Sequence, residues 1–226
     1  DAAIRMHVAV GTSLATIIPT SISSARAHHR RDAVNVEIVR RWALFVLIGA
    51  LLGAWIAAQV HSRVLAGVFA TLALMVAAKM VFLPTSRNLT ESVPRAPWVI
   101  AIPTAIGCFS SMMGIGGGTF SVMTLTLFNE PIHRAVGTAA LFGLVISLPG
   151  TIGFVLAGLQ DPRLPPGSLG YVNLLGLAAI APTTVLMAPL GARIAHGFTG
   201  KKLSVLFGLF LVIVSIRLFY SALIPA

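Results

Sequence analysis

Seven stretches of the chain run for about twenty residues or more with almost no charge: 6–25, 42–60, 64–82, 96–129, 135–160, 164–192 and 203–223. Lys79 interrupts the third and Arg217 the last. A helix needs about 20 mostly apolar residues to cross a hydrocarbon core roughly 30 Å thick, so each stretch is long enough to span a bilayer. Polar segments rich in turn residues separate them, at 24–41, 84–97 and 159–170, and none has room for a separate soluble domain. Trp42, Trp98, Tyr171 and Tyr220 stand near run ends, where amphipathic rings settle at headgroup level, and all four read as interfacial anchors.

Composition agrees with the pattern. Of 226 residues 57% are hydrophobic and only 10% charged, with a mean hydropathy of +0.93, whereas a soluble domain carries about 25% charged residues. That excludes a water-soluble enzyme and predicts an all-α polytopic membrane protein of about seven hydrophobic segments. The formal charge of +10 comes from 16 Lys and Arg against 6 acids. These cations fall in short clusters between apolar runs, as on a cytoplasmic membrane face, so no nucleic-acid partner is expected. The one cysteine, Cys108, excludes an intramolecular disulfide, and without a second thiol no metal site or other cofactor is expected.

The chain repeats itself. His7-Val8-Ala9-Val10-Gly11-Thr12 recurs as His133-Arg134-Ala135-Val136-Gly137-Thr138, five identities in six at an offset of 126. Gly53-Ala54-x-Ile56-Ala57 recurs as Gly191-Ala192-x-Ile194-Ala195 at an offset of 138, which also carries Lys79 onto Arg217 and Phe82 onto Tyr220. The extra 12 residues match the longer loop at 159–170. Two repeats follow, 1–96 and 97–226. The first 30 or so residues of the second have counterparts expected upstream of Asp1, so the first repeat is expected to lack its N-terminal glycine-rich element.

The 34 uncharged residues at 96–129 would make one helix about 51 Å long, far more than the core needs. Gly114, Gly116, Gly117 and Gly118 lie at its middle, each costing about 0.8–1 kcal/mol relative to Ala in a helix interior, so a break is expected there. The basic residues choose the topology. If the stretch crosses once, cations divide eight against six; if it is a re-entrant hairpin of two half-helices, they divide eleven against three, which the positive-inside rule prefers. The hairpin leaves an odd number of crossings per repeat. The two repeats are therefore expected to be inverted, the arrangement of many alternating-access transporters.

Candidate chemistry gathers at that break. Glycine lets backbone amides in Ser110-Ser111-Met112-Met113-Gly114-Ile115-Gly116-Gly117-Gly118-Thr119 point at a ligand, and a helix starting near Thr119 adds its positive dipole end, a site for a small anion. Gly11-Thr12-Ser13 and Gly137-Thr138 would line the same cavity with hydroxyls. Against this, small residues also serve helix packing, and Ser and Thr hydroxyls bond the preceding turn. Lys79 and Arg217 are charges within apolar runs, with snorkelling as the alternative, and Arg134 is placed to attract anions at the cytoplasmic mouth. His7 and His133 begin matching helices and would titrate with a proton-coupled cycle or simply cap. The six acids all lie in loops or at run ends, and no HExxH or Walker sequence is present, so no enzyme activity is expected.

Two segments carry a family resemblance: GTSLATIIPTSISSARAHHRRDAVN near the start and MMGIGGGTFSVMTLTLFNEPIHRAVGTAALFGLVISLPGTIGF in the middle. They resemble the sulfite exporter family of TauE/SafE type. The resemblance implies a secondary transporter in a bacterial inner membrane, exporting a small sulfur-containing anion such as sulfite or an organosulfonate. An anion channel, an uptake permease for another small anion, and an assembly subunit whose glycines only pack helices are the alternatives. A homodimer is the default assembly.

Overall fold

A computed structural model of the chain describes residues 4–82 and 98–223. Among them run α1 (Arg5–His29), α2 (Val36–Gln59), α3 (Ser62–Phe82), α4 (Trp98–Met113), α5 (Gly118–Leu127), α6 (Ile132–Gly158), α7 (Leu174–Gly197) and α8 (Gly200–Leu223). Between α6 and α7 a small hairpin pairs β1 (Ser168–Leu169) antiparallel to β2 (Val172–Asn173). Four described helices, Arg5–His29, Val36–Gln59, Ile132–Gly158 and Leu174–Ala195, are long and apolar enough to cross a membrane. Their outward faces carry bare hydrocarbon: Trp55 is 65% exposed, Leu156 64% and Leu186 71%. A surface of that kind needs lipid as its solvent, so this is an integral membrane protein.

One loop is shorter than the polar pattern suggests. The segment 24–41 is mostly helix, because α1 runs through His29 and α2 begins at Val36. Arg26, His28 and His29 lie in the last turn of α1, where cations favour the negative end of the dipole. Glu37 and Arg41 pair at 2.6 Å on the exposed face of α2. Residues 84–97 lie outside the described ones.

Trp42 and Tyr171 are not interfacial anchors. Trp42 is fully buried, its ring 6.2 Å from Phe142 in a stack and 6.3 Å from Phe128 edge-on. Tyr171 is buried over the start of α1, its ring 5.1 Å from His7. Starting α2 six residues before Trp42 places that ring inside the bundle rather than at its rim. Trp98 and Tyr220 are exposed, at 61% and 67%.

The centre of the bundle is the antiparallel pair α1 and α6. Gly11, early in α1, faces Phe154 late in α6, while Gly137, early in α6, faces His28 late in α1. Glycine lets α2 and α4 touch backbone to backbone: Gly49 meets the carbonyl of Thr104, Gly53 that of Cys108, and Gly107 that of Val46. A methyl group at any of them would collide with main chain.

Each end of the α1–α6 pair carries the same clasp. The Thr12 hydroxyl accepts the backbone N–H of Asn173 at 2.9 Å, and the Thr138 hydroxyl accepts that of Asn35 at 2.9 Å. Asn173 and Asn35 are the N-caps of α7 and α2, their side-chain oxygens accepting from Gly176 N at 2.7 Å and Ile38 N at 3.2 Å, the usual way to satisfy an orphan amide at a helix start. Beside each threonine a glycine admits a carbonyl, Tyr171 O at Gly11 and Ala33 O at Gly137. A helix start in one part of the chain is thus held by a Gly-Thr pair in the other.

Candidate functional site

The long stretch 96–129 breaks where glycine allows it. Gly114, Gly116 and Gly117 adopt φ of 67°, 62° and 77°, a left-handed region that side chains disfavour. The chain turns there and α5 returns toward the end of the bundle where α4 starts: Phe128 reaches Trp42, and Asn35 Nδ2 donates to Glu130 Oε1 at 2.5 Å. Ser13 of α1 ties the turn in place, its hydroxyl donating to the Gly114 carbonyl at 2.7 Å. Val10 and Ile17 of α1 pack on Gly114 and Gly116, and Ile146 of α6 on Gly117.

Beneath the turn lies a cavity of about 360 Å³. Its walls are Ile17, Thr20, Ser21 and Ser24 of α1; Gly116, Gly118, Thr119 and Val122 of the turn and α5; Val136, Ala140 and Gly143 of α6; and Ala195 and Leu203 at the junction of α7 and α8. All lie between the turn and the end where α1 stops and α6 starts. That is the basic end: Arg26, Arg30, Arg31, Arg40, Arg41, Arg134, Arg193, Lys201 and Lys202 gather there, against Arg5, Arg63, Arg163 and, late in α8, Arg217 toward the other. On the far side of the turn, Val10, Leu14, Phe154 and Tyr171 are buried and fill the interior.

Helix α5 points its N-terminus at the cavity. Gly117 is its N-cap and supplies no side-chain cap, so the first amides of α5 have no intrahelical acceptor and carry the positive end of the dipole. A Cβ at Gly118 would meet open space, which leaves that backbone accessible to a ligand. Thr119 is 4% exposed and its hydroxyl is buried with no partner.

Three neighbouring hydroxyls share that condition: Ser110 and Ser111 at the end of α4, and Ser121 in α5, all buried and without a hydrogen bond. Several other helical hydroxyls back-bond one turn earlier, Thr16 to Thr12 O at 2.8 Å, Thr126 to Val122 O at 2.9 Å and Ser215 to Leu211 O at 2.7 Å, while Thr151 of α6 is likewise buried without a partner. Leaving a buried polar group unpaired costs about 1–3 kcal/mol. Four such hydroxyls gather around this one backbone break, and of them Thr119 belongs to the cavity wall. The donors are neutral, and no lysine or arginine lines the cavity.

The sequence-predicted site residues fall into three groups. Gly116, Gly118 and Thr119 line the cavity, Gly114 and Gly117 shape the turn above it, and Ser110, Ser111 and Ser13 stand directly behind it. Gly11, Thr12, Gly137 and Thr138 sit instead at the two clasps, and both threonine hydroxyls are engaged there. Arg134 is exposed, its Nε 3.9 Å from Glu130 Oε2, and Arg217 is exposed in α8. Lys79 falls in the last turn of α3, and its side chain lies outside the described residues. The wall residues Thr20, Ser21 and Ser24 were missed, although their spacing puts three hydroxyls on one helical face.

At the end opposite the basic one, the loop after α6 is stitched by Asp161. Arg163 donates to it three times, from the side chain at 2.8 and 2.7 Å and from the backbone N–H at 3.0 Å, and the Tyr171 hydroxyl donates at 2.9 Å. The Arg163 hydrogen bonds hold the Asp161 carboxyl well below the ordinary carboxylate range. Burial, helped by the bond to Asp161, pushes the Tyr171 phenol above its usual value.

Comparison with known proteins follows the same lines. The family model described as Sulfite exporter TauE/SafE matches residues 2–218. A Haemophilus influenzae protein named "Probable membrane transporter protein" is 33% identical over 215 residues, 95% of this chain and 81% of its own length. Two Bacillus subtilis proteins are also similar. "Probable membrane transporter protein YdhB" is 27% identical over 70% of this chain and 67% of its own length, and "Probable membrane transporter protein YunE" 22% identical over 96% and 82%. No solved structure matches the chain significantly.

Proposed function

Because the chain belongs to the sulfite exporter TauE/SafE family, we propose that it is a secondary transporter exporting a small sulfur-containing anion, sulfite or an organosulfonate, across a bacterial inner membrane by alternating access. The observation that carries this reading is the N-terminus of α5, with the unpartnered Thr119 hydroxyl beside it, at a cavity that lies between the turn and the basic end. The positive-inside rule makes that end cytoplasmic. The cavity then faces the cytoplasm and is sealed toward the outside, the loading state of an exporter.

The anion would be held by amides and hydroxyls rather than by a cationic side chain. Such a site binds without neutralising the charge fully, which suits a ligand that must leave again. The walls beyond the hydroxyls are apolar, Ile17, Val122, Val136 and Leu203 among them. They favour an organosulfonate with a short hydrocarbon body over a fully hydrated inorganic anion.

Alternating access also needs two related halves. The repeat of Gly-Thr and Asn at both clasps, on antiparallel helices, supports inverted repeats exchanging the helix starts that they hold. A channel fits less well, because among the described residues Val10, Leu14, Phe154 and Tyr171 are buried beyond the turn, where a continuous pore would have to pass.

The test is efflux from proteoliposomes preloaded with sulfite or with methanesulfonate. Wild-type protein should release at least one of them, and Thr119→Val should slow release by about tenfold or more at low anion concentration while the protein remains folded. Absence of wild-type flux for both anions would remove the substrate assignment, and unaltered flux in Thr119→Val would remove the site.

A further inference from the structure

A second cavity, of about 410 Å³, runs between α1 and α7. Pro19, Ile22, Val185 and Pro189 form its apolar length, and Arg26 and Arg30 close it at the basic end. The two helices are pinned together along it by Thr20 Oγ1 donating to Thr184 Oγ1 at 2.8 Å and Ser23 Oγ donating to Val185 O at 2.9 Å. At about 100° per residue, the positions 19, 22, 26 and 30 lie on the face of α1 roughly opposite Ile17, Ser21 and Ser24 of the anion cavity. The groove therefore backs onto the helix that walls the transport site without opening into it.

The matching face of α6 shows which solvent this surface meets. Positions 126 residues on from Ile22, Arg26 and Arg30 are Leu148, Ile152 and Leu156, 52%, 50% and 64% exposed. Three bare hydrocarbon side chains in a row are a lipid-facing stripe. At the end of α1 the same stripe carries two arginines one turn apart, Arg26 in the last turn and Arg30 at the C-cap. No acid lines the groove, and the ion pairs among the described residues, Glu37–Arg41, Glu130–Arg134 and Asp161–Arg163, use neither arginine.

We propose that this groove binds an anionic glycerophospholipid of the cytoplasmic leaflet, its phosphate held by Arg26 and Arg30 and one acyl chain lying along Pro19, Ile22 and Pro189. The guanidinium is suited to phosphate because its donors form a planar fork. An apolar channel continuing from the charged end along the membrane normal matches a lipid and not a free phosphate. The inference depends on the basic end being cytoplasmic and not on which anion is carried.

The test uses the full chain purified in detergent and titrated with phosphatidylglycerol or phosphatidylcholine, with retained lipid read by native mass spectrometry. Wild-type protein should retain phosphatidylglycerol in preference. Arg26→Gln with Arg30→Gln should weaken it by about fivefold for each arginine lost, some thirtyfold together. Arg26→Lys with Arg30→Lys should keep much of the preference, and Arg40→Gln, on α2, should keep all of it. Equal retention of the two lipids, an unchanged preference in the double Gln variant, or an equal loss in Arg40→Gln would each overturn the proposal. Should the double Gln variant fail to fold, the wild-type preference read at about 1 M salt decides: a headgroup contact fades at a Debye length of about 3 Å, and a preference that survives would overturn the site.

Discussion

Thr119→Val and Thr138→Val remove the same atom from the same kind of side chain, and the structure predicts opposite outcomes. Valine is nearly isosteric with threonine, so packing changes little and the hydroxyl alone is tested. At Thr138 the hydroxyl accepts the Asn35 N–H at 2.9 Å in a fully buried position. Losing it strands that amide and should cost about 1–3 kcal/mol of stability. At Thr119 no protein group is left behind, because the hydroxyl has no partner. Removing it should leave stability unchanged or raise it by up to about 1–3 kcal/mol, the burial cost of an unpaired hydroxyl. Binding behaves the other way. A hydrogen bond to a charged group contributes about 1.5–3 kcal/mol, so Thr119→Val should weaken the anion by roughly 10- to 150-fold. Thermal unfolding in detergent and calorimetric titration with sulfite or methanesulfonate read the two quantities on one preparation. A Thr119→Val protein that is destabilised by 1 kcal/mol or more and binds the anion as tightly as wild type would refute the reasoning, since the hydroxyl would then be structural.

Glycines related by the repeat should differ sharply. Gly53→Ala drives a methyl into the Cys108 carbonyl and should destabilise severely, whereas Gly191→Ala meets nothing within 4 Å and should be neutral or stabilising by up to about 1 kcal/mol, its helix-propensity gain; thermal unfolding of the two variants separates them. The Asp161 clip should loosen in acid. Its folded-state carboxyl lies below the ordinary value, so its stabilisation is complete above about pH 4 and is lost as pH falls through the depressed value; hydrogen exchange in residues 161–173 should rise there first. Tyr171 titrates above its usual range, so its contribution should persist through about pH 10 and fade only at higher pH, which absorbance of the phenolate would follow. Tyr171→Phe should cost about 0.5–1.5 kcal/mol, one ordinary hydrogen bond.

What the sequence made legible was local. Apolar runs near twenty residues long located the helices because lipid imposes that length directly, though not their ends, since the run 164–192 takes in the hairpin and begins ten residues before α7; consecutive glycines marked the break because no other residue takes those φ values readily. Helix ends through charged sequence were not legible. Glu37, Arg40 and Arg41 belong to α2, since a helix at the membrane surface can turn charges outward, and that shift placed Trp42 in the core. The anchor reading of a tryptophan at a run's edge cannot tell the core from the interface.

The role of Thr12 and Thr138 was hidden for a different reason: their partners, Asn173 and Asn35, are 161 and 103 residues away. One signal was present and unused. Asn35 and Asn173 are themselves related by the 138-residue offset, so each Gly-Thr repeat came with a repeated N-cap. The break itself was readable, but the four unpaired hydroxyls around it were not, because only coordinates show that Ser110, Ser111, Thr119 and Ser121 forgo the back-bonds that Thr16 and Thr126 make.

The two clasps are alike in their hydrogen bonds, yet the cavity lies on the side of one of them only, and the loops differ in the same sense. The basic-end clasp is followed by residues 30–35 alone between α1 and α2, while the other is reached through residues 159–173, with 12 residues more than the repeat requires. Those extra residues build the hairpin whose Tyr171 covers Gly11 and Phe154, and Asp161 and Arg163 staple that hairpin down. A symmetric pair of halves would have no preferred side. Here the insertion adds the Tyr171 ring and three side-chain hydrogen bonds to the outer closure, where the shorter loop at the basic end is tied by Asn35 Nδ2 donating to Glu130 Oε1. On the transporter reading, the state with its cavity toward the cytoplasm rests lower by whatever that closure contributes, and the anion must supply the difference through its contacts before the outer side can open.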